Sequence, residues 1–355
     1  MVIDQFLSGF HYGDAIGNSV LRFHKFLKNN GVESRIVAIT VDDEMREFCT
    51  SFSEYRERDD SIKIYHYAIS SPLNEYFLKT NGKKILVYHN ITPSEFFKDF
   101  SDELVDLTEK GRKELILFNK EFKMVIADSK YNSYELELLG FKNIKTFPIM
   151  ISRSEYEGEF SKSYSEVFND GRKNVLFVGR VTPNKKLEDL LKFISAYKRI
   201  ISNDIRLIIA GNVMSVPKYF SSLLSLKEKL DLSNSDVFFT GHILFDELLA
   251  VYNFADIFLS LSEHEGFCLP LIESTFFNLP VIAYDAGAVK ETLDGSGLLL
   301  NEKKMDKLVF LTDKIMSDER IRKKMSHNAK LRADRYEEES DPEIFLEMIL
   351  EAFNG

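Results

Sequence analysis

Ser262-Glu-His-Glu-Gly-Phe-Cys-Leu-Pro-Leu-Ile-Glu273 is the most informative stretch of this 355-residue chain. It follows an apolar run at 257–261, turns at Gly266 and sets Pro270 where a helix should begin. Proline suits the first helical position because its missing N–H would be unpaired there anyway. The amides around Phe267, Cys268 and Leu269 then point outward from the positive end of a helix. Such an end receives a phosphate or a sugar hydroxyl. Glu265 lies before the turn and Glu273 after it, with seven residues between them. Taken alone, Glu273 reads as a first-turn carboxylate that complements the helix dipole.

The same step of strand, turn and helix repeats on both sides. Upstream, apolar strand-like runs occur at 2–6, 35–40, 63–68, 85–88 and 124–127. Ile16, Val20, Phe23 and Leu27 recur at helical spacing between the first two, and Asn29-Asn30-Gly31 stops that helix. Residues 152–172 break the pattern, being polar and charged without a sustained apolar face. Strand-like runs resume at 174–178, 206–210, 237–240, 257–261 and 281–284, and Leu187, Leu190, Leu191 and Ile194 mark a helix between the first two of these. Strands alternating with helices imply parallel sheets, so the chain is expected to be α/β. The division expected is 1–152, a linker at 153–172, a second half at 173–335 and a last segment at 336–355. Ile344, Phe345, Met348 and Ile349 should line one side of a terminal helix.

Charge and cysteine content exclude several classes of function. Lys plus Arg number 46 and Asp plus Glu 56, so the net charge is -10, and a dedicated nucleic-acid binder is not expected. Two distant cysteines, Cys49 and Cys268, rule out a disulfide scaffold and a zinc cluster and suit a reducing cytoplasm. The first residues lack the basic region and cleavage site of a signal peptide, and no apolar run approaches the ~20 residues that span a bilayer. Lysines at 110, 113, 120 and 123 beside Leu115, Ile116, Leu117 and Phe118 could touch an anionic membrane. The glutamates at 109, 114 and 121 favour an ordinary surface helix. No phosphate-binding Gly-x-x-x-x-Gly-Lys-Ser/Thr loop and no His-Glu-x-x-His occurs, and no Asp-x-Asp pair ends a strand, so neither a metal nor a cofactor is expected. Asp42-Asp43 and Asp59-Asp60 read as solvated turns.

Other loops at strand ends carry candidate groups. In Val178-Gly-Arg-Val-Thr-Pro-Asn-Lys-Lys186, Arg180 and Lys185 stand at the mouth of a strand–loop–helix unit, where two cations suit a diphosphate. On its own the segment reads first as a solvated basic loop. Gly13, in His11-Tyr-Gly-Asp-Ala-Ile-Gly-Asn18, permits close backbone approach, while Asp14 suits a helix cap. His89 and Asn90 follow the strand-like run at 85–88, at the end where ligands of open α/β sheets bind. Gly211 with Asn212, and His242 after Gly241, end further strands in ordinary turn chemistry. Asp128, after the run at 124–127, suits a structural role.

Two glutamates framing Gly-Phe-small-Leu-Pro resemble the retaining nucleotide-sugar glycosyltransferases of family four. Asn278-Leu-Pro-Val-Ile-Ala283 matches that family's next turn and strand, and the Arg180–Lys185 loop matches in the expected order. Lys186 and Cys268 stand where the family often has glycine. The resemblance covers essentially the whole chain and implies the GT-B fold, two Rossmann-like domains facing a central cleft. The first would hold a carbohydrate, lipid-linked or protein-linked acceptor and the second a nucleoside-diphosphate sugar, with the last helix crossing back to the first. It implies that Arg180 and Lys185 grip the pyrophosphate, Glu265 holds the donor hexose and Glu273 binds the ribose. His89 would lie beside the donor sugar. The Gly13–Asp14 loop would close over the phosphates, and the turns at Gly211, Asn212 and His242 would receive the base. The expected reaction is glycosyl transfer with retention, without cofactor or metal, in the cytoplasm. Peripheral contact with the inner face of a membrane is compatible with that reading. An epimerase of the same architecture and a silent sugar-nucleotide-binding subunit are the alternatives.

Overall fold

The computed structural model describes residues 1–354 and divides into two compact units. Of the described residues, the first comprises 1–95, 103–152 and 337–354, and the second comprises 96–102 and 153–336.

Seven parallel strands form the first sheet: β1 (Val2–Phe10), β2 (Glu33–Val41), β3 (Cys49–Ser51), β4 (Ser61–Tyr67), β5 (Lys83–Tyr88), β6 (Met124–Ala127) and β7 (Ile144–Thr146). Their spatial order is β3-β2-β1-β4-β5-β6-β7. The direction of winding therefore reverses between β1 and β4, the place where open α/β sheets bind ligands. The helix Ala15–Asn29 after β1 buries Val20, Phe23 and Leu27. Gly31, at φ 71°, follows its end. Charged side chains inside the sheet are paired: buried Asp4 takes Arg35 at 2.5 Å and the Tyr55 hydroxyl at 2.9 Å. The helix Asp102–Leu117 turns Leu115 inward and leaves Ile116 and Leu117 exposed. Its Lys110 and Lys113 pair with Glu114 and Glu109, as on an ordinary surface helix.

The second sheet has six parallel strands: β8 (Lys173–Val178), β9 (Ile205–Ala210), β10 (Val237–Gly241), β11 (Ile257–Ser260), β12 (Val281–Tyr284) and β13 (Leu298–Leu300). Their order is β10-β9-β8-β11-β12-β13, with the reversal between β8 and β11. The helix Leu187–Ile200 fully buries Leu187, Leu190, Leu191 and Ile194, each worth about 1.5–3 kcal/mol of apolar burial. Glu188 and Asp189 in its first turn and Lys198 and Arg199 in its last match the helix dipole.

Three strands escape sequence reading: β3, β7 and β13, each three residues long. A run that short shows no periodicity, and neighbouring strands supply its pairing. The stretch expected as a linker instead folds with the second unit. It contains the 3-10 turn Arg153–Tyr156 and the helix Lys162–Phe168. Isolated aromatics anchor it, Phe168 entering the sheet's apolar core and Tyr164 packing beside it. The terminal helix Pro342–Asn354 packs Phe345 between Phe23 (4.8 Å between ring centroids) and Phe147 (4.9 Å). Ile349 is also buried, whereas Ile344, expected on the same side, is 37% exposed. Among the described residues no helix is long and apolar enough to cross a membrane.

Candidate active site

In the second unit the loops after β8 and β11 lie at the winding reversal and are laced together. The Glu263 amide donates to the Asn184 carbonyl at 2.8 Å, and the Asn184 side chain donates to the His264 carbonyl at 3.1 Å. Between these bonds Lys185 Nζ meets both carboxylate oxygens of Glu265, at 2.8 and 2.7 Å. Glu265 is buried, Lys185 is largely so, and Arg180 in the same loop is exposed. The Glu265 backbone is fixed as well: Ala288 donates to its carbonyl at 2.9 Å, and neighbouring Gly287 sits at φ 60°. A Cβ on Gly287 would lie 2.2 Å from that carbonyl oxygen, so only glycine fits.

Lys186, at the position where the family often has glycine, does adopt the left-handed conformation, φ 52° and ψ 45°. Its ammonium reaches Glu263 at 3.3 Å and Glu188 at 3.7 Å, and Lys303 also takes Glu263, at 2.9 Å. Cys268, the second such position, is left-handed too, at φ 73°, immediately before the helix Leu269–Phe276. Its thiol pKa is pushed well up by burial, and by the Glu265 carboxylate beside it. Pro270 lies in the first turn, where amides have no partner within the helix. Gly266 and Phe267 form the turn into this helix, and the Phe267 carbonyl accepts from Thr292 at 2.6 Å.

Glu273 is placed differently from its sequence reading. The helix has no acidic residue in its first turn; Glu273 is deeper and buried. One carboxylate oxygen accepts from Tyr156 and the other from Tyr252, both at 2.6 Å. Burial raises its pKa above the ordinary carboxyl value, and the two tyrosine hydroxyls partly offset the rise. Tyr156 and Tyr252 were not legible as site neighbours, since neither lies in a recognisable pattern.

Gly211 has a structural role in its turn. At φ 146° it crosses the loop after β8 so closely that a Cβ would lie 2.1 Å from the Gly179 carbonyl. Asn212 accepts from the Met214 amide at 2.8 Å, and His242 is exposed beyond β10.

In the first unit Gly13 is exposed at φ 73°, and Asp14 caps the following helix by accepting from Ile16 and Gly17, each at 3.1 Å. Asp42, expected as a solvated turn, pins this loop. It accepts from the Tyr12 amide at 3.0 Å and lies 2.9 Å from His11 Nδ1. His89 is buried at the end of β5, with one ring nitrogen 3.1 Å from Asp128 and the other 3.0 Å from His66. Asn90, at φ 70°, donates to Asn132 and Glu135. Neither His66 nor Asp128 was singled out as a site residue, because pairing across strands is invisible in a linear pattern.

Chemically, the second unit offers an exposed guanidinium, a preformed ammonium–carboxylate pair and a helix start, all in the loops that follow β8 and β11. That suits an anionic ligand carrying hydroxyls. Among the described residues no three His, Cys, Asp or Glu side chains gather as a metal-ligand set.

Residues 160–332 match the family described as Glycosyl transferases group 1. The serotype-specific mannosyltransferase WbdA of Escherichia coli is 23% identical over 175 residues, 49% of this chain and 21% of that protein. The GDP-mannose-dependent alpha-mannosyltransferase of Mycolicibacterium smegmatis is 32% identical over 134 residues, 37% of this chain and 31% of that protein. The chain thus spans about a fifth to a third of the length of these relatives. Among solved structures, sucrose-phosphate synthase from Thermosynechococcus elongatus superposes with a TM-score of 0.77 at 15% identity, covering 99% of each chain. That likeness bears out the α/β, GT-B fold class.

Proposed function

Because residues 160–332 match the family described as Glycosyl transferases group 1, we propose that the chain moves a glycosyl group from a nucleoside-diphosphate sugar to a hydroxyl acceptor. The transfer keeps the anomeric configuration and serves the building of a glycan or glycoconjugate. The observation that carries this reading is the Lys185–Glu265 pair at the winding reversal of the second sheet. An ammonium has three N–H donors, and two are taken by Glu265. The third is available to a diphosphate while the pair stays intact. Charge grows on the diphosphate as the bond to the sugar breaks, so Lys185, Arg180 and the start of the helix Leu269–Phe276 stabilise the transition state more than the ground state.

Glu265, held by Lys185 on both oxygens, is a hydrogen-bond acceptor for donor hydroxyls and a poor nucleophile. Glu273 accepts from the ribose through lone pairs that its two tyrosines leave over. The turns at Gly211, Asn212 and His242 receive the base. The acceptor proton passes to the departing diphosphate on the face of attack. Fixed cations supply the needed charge, so turnover does not depend on a divalent metal. We place the reaction in the cytoplasm, which suits two free thiols.

Calorimetry with a panel of UDP-, GDP- and ADP-sugars tests the reading, and binding of none of them would overturn it. Turnover of the bound donor without acceptor into an epimer would assign the chain to the alternative chemistry. Proton NMR of the first-formed linkage checks retention, and turnover after exhaustive chelation checks metal independence.

A further inference from the structure

The carboxyl ends of β4, β5 and β6 carry a buried polar relay that the proposed chemistry does not use. His89 Nδ1 lies 3.1 Å from Asp128 Oδ2, and His89 Nε2 lies 3.0 Å from His66 Nδ1. The two ring planes lie 12° from parallel, with centroids 5.3 Å apart. Asp128 is held from its other side by the Asn132 amide. Asn132 in turn accepts from Asn90 at 2.7 Å. Asn90 also reaches Glu135, which accepts from Tyr88 at 2.7 Å and pairs with Arg112 at 2.5 Å.

Hydrogen counting fixes the direction of the relay. A carboxylate only accepts, so His89 Nδ1 carries the hydrogen that faces Asp128. In a neutral imidazole the other nitrogen is then a bare acceptor, and His66 Nδ1 must be the donor to it. Burial holds the His66 pKa well below its ordinary value, with His89 adding to the effect, so His66 stays neutral. Its Nε2 is then bare as well; that atom is buried without a hydrogen-bond partner. The relay ends there.

We propose that His66 is a positioning residue whose Nδ1–H, opposite Asp128, locks His89 as the neutral Nδ1–H tautomer with both ring nitrogens engaged. The bearing on catalysis rests on the glycosyltransferase reading above. A His89 ring so held takes no proton from the acceptor hydroxyl, which leaves the departing diphosphate as the base.

Two-bond ¹⁵N–¹H correlation spectra of the histidines, recorded on the whole chain at one neutral pH, read the tautomers without any ligand. His89 should show a hydrogen on Nδ1 and a bare Nε2; a hydrogen on Nε2 in the wild type overturns the proposal. His66→Phe removes the donor, so His89 should lose its single tautomer, and turnover with the donor found by the panel should fall about tenfold to a hundredfold with KM little changed. His66→Asn places an amide N–H near the former Nδ1 and drops Nε2, and it should restore both the tautomer and most of the turnover. Unchanged spectra and turnover in His66→Phe would overturn the proposal. So would His66→Asn keeping the tautomer yet losing as much turnover, since His66 would then act through its own Nε2. A wild type that transfers no sugar would count against the glycosyltransferase reading alone, and the tautomers would still decide the role of His66.

Discussion

The two sheets share one winding, 3-2-1-4 across the reversal, and differ in what they set at their carboxyl ends. In the first unit, polar groups there are mostly buried and bonded to one another, from His66, whose Nε2 alone has no partner, through His89, Asp128 and Asn132 to the half-buried Glu135. In the second, Arg180 is exposed and Lys185 retains a donor beyond its two bonds to Glu265. Buried polar groups must be satisfied internally, which makes the first set rigid; partly exposed charges keep capacity for an anion. One topology thus supports a closed and an open polar cluster, and the difference lies in side chains rather than in the fold.

The largest expected effect breaks the open cluster. Lys185→Ala should lower turnover about 10²–10³-fold, through loss of a transition-state cation and an unpaired, buried Glu265. Arg180→Ala, being exposed, should lower turnover while leaving the melting temperature unchanged. Steady-state rates and thermal melts measure both, and wild-type rates in the two variants would remove the contrast between the sheets.

Next comes the backbone that holds Glu265. Gly287→Ala would drive a Cβ into the Glu265 carbonyl and should destabilise the protein by about 1–3 kcal/mol while weakening donor binding. Gly31→Ala, at φ 71° in the first unit with open space around it, should cost only about 1 kcal/mol and leave binding alone. Equal penalties in denaturant titrations would show that packing at Gly287 adds nothing to the backbone cost.

A smaller effect concerns pH. Burial raises the Glu273 pKa in the folded state, so folding favours the protonated form. The stability contributed by that group is therefore fully present below the ordinary carboxyl pKa and is lost as pH rises through the raised value. Glu273→Gln does not titrate, so wild type minus variant stability should decline as pH rises from the ordinary carboxyl pKa through the raised one. A flat difference would mean that the two tyrosines cancel the burial.

The smallest effect expected is at Cys268. Cys268→Gly relieves a left-handed residue at φ 73° but loses a buried thiol, so stability should stay within about 1 kcal/mol of wild type. In the wild type both thiols should react slowly with a disulfide reagent near neutral pH, because burial pushes Cys49 up to about 11 and Cys268 well up. Rapid labelling of Cys268 would show that the loop before the helix opens.

Sequence by itself determined the α/β class, because long strands with buried faces and helices with a four-residue apolar rhythm have local signatures; β6 and β12 fall at the residues read from the chain. It also marked the Arg180–Lys185 loop and the two-glutamate turn, where glycine, proline and charge stand at fixed offsets. Tertiary structure alone decided partnerships. Lys185 and Glu265 are 80 residues apart, and only the adjacency of β8 and β11 makes them an ion pair. Likewise Glu273 looks like a dipole-matching carboxylate until Tyr156 and Tyr252 enclose it, and His89 looks solitary until β4 brings His66 to its ring. Local propensity depends on neighbours in the chain, whereas burial and hydrogen-bond partners depend on which strands pair, and no spacing within one segment encodes that.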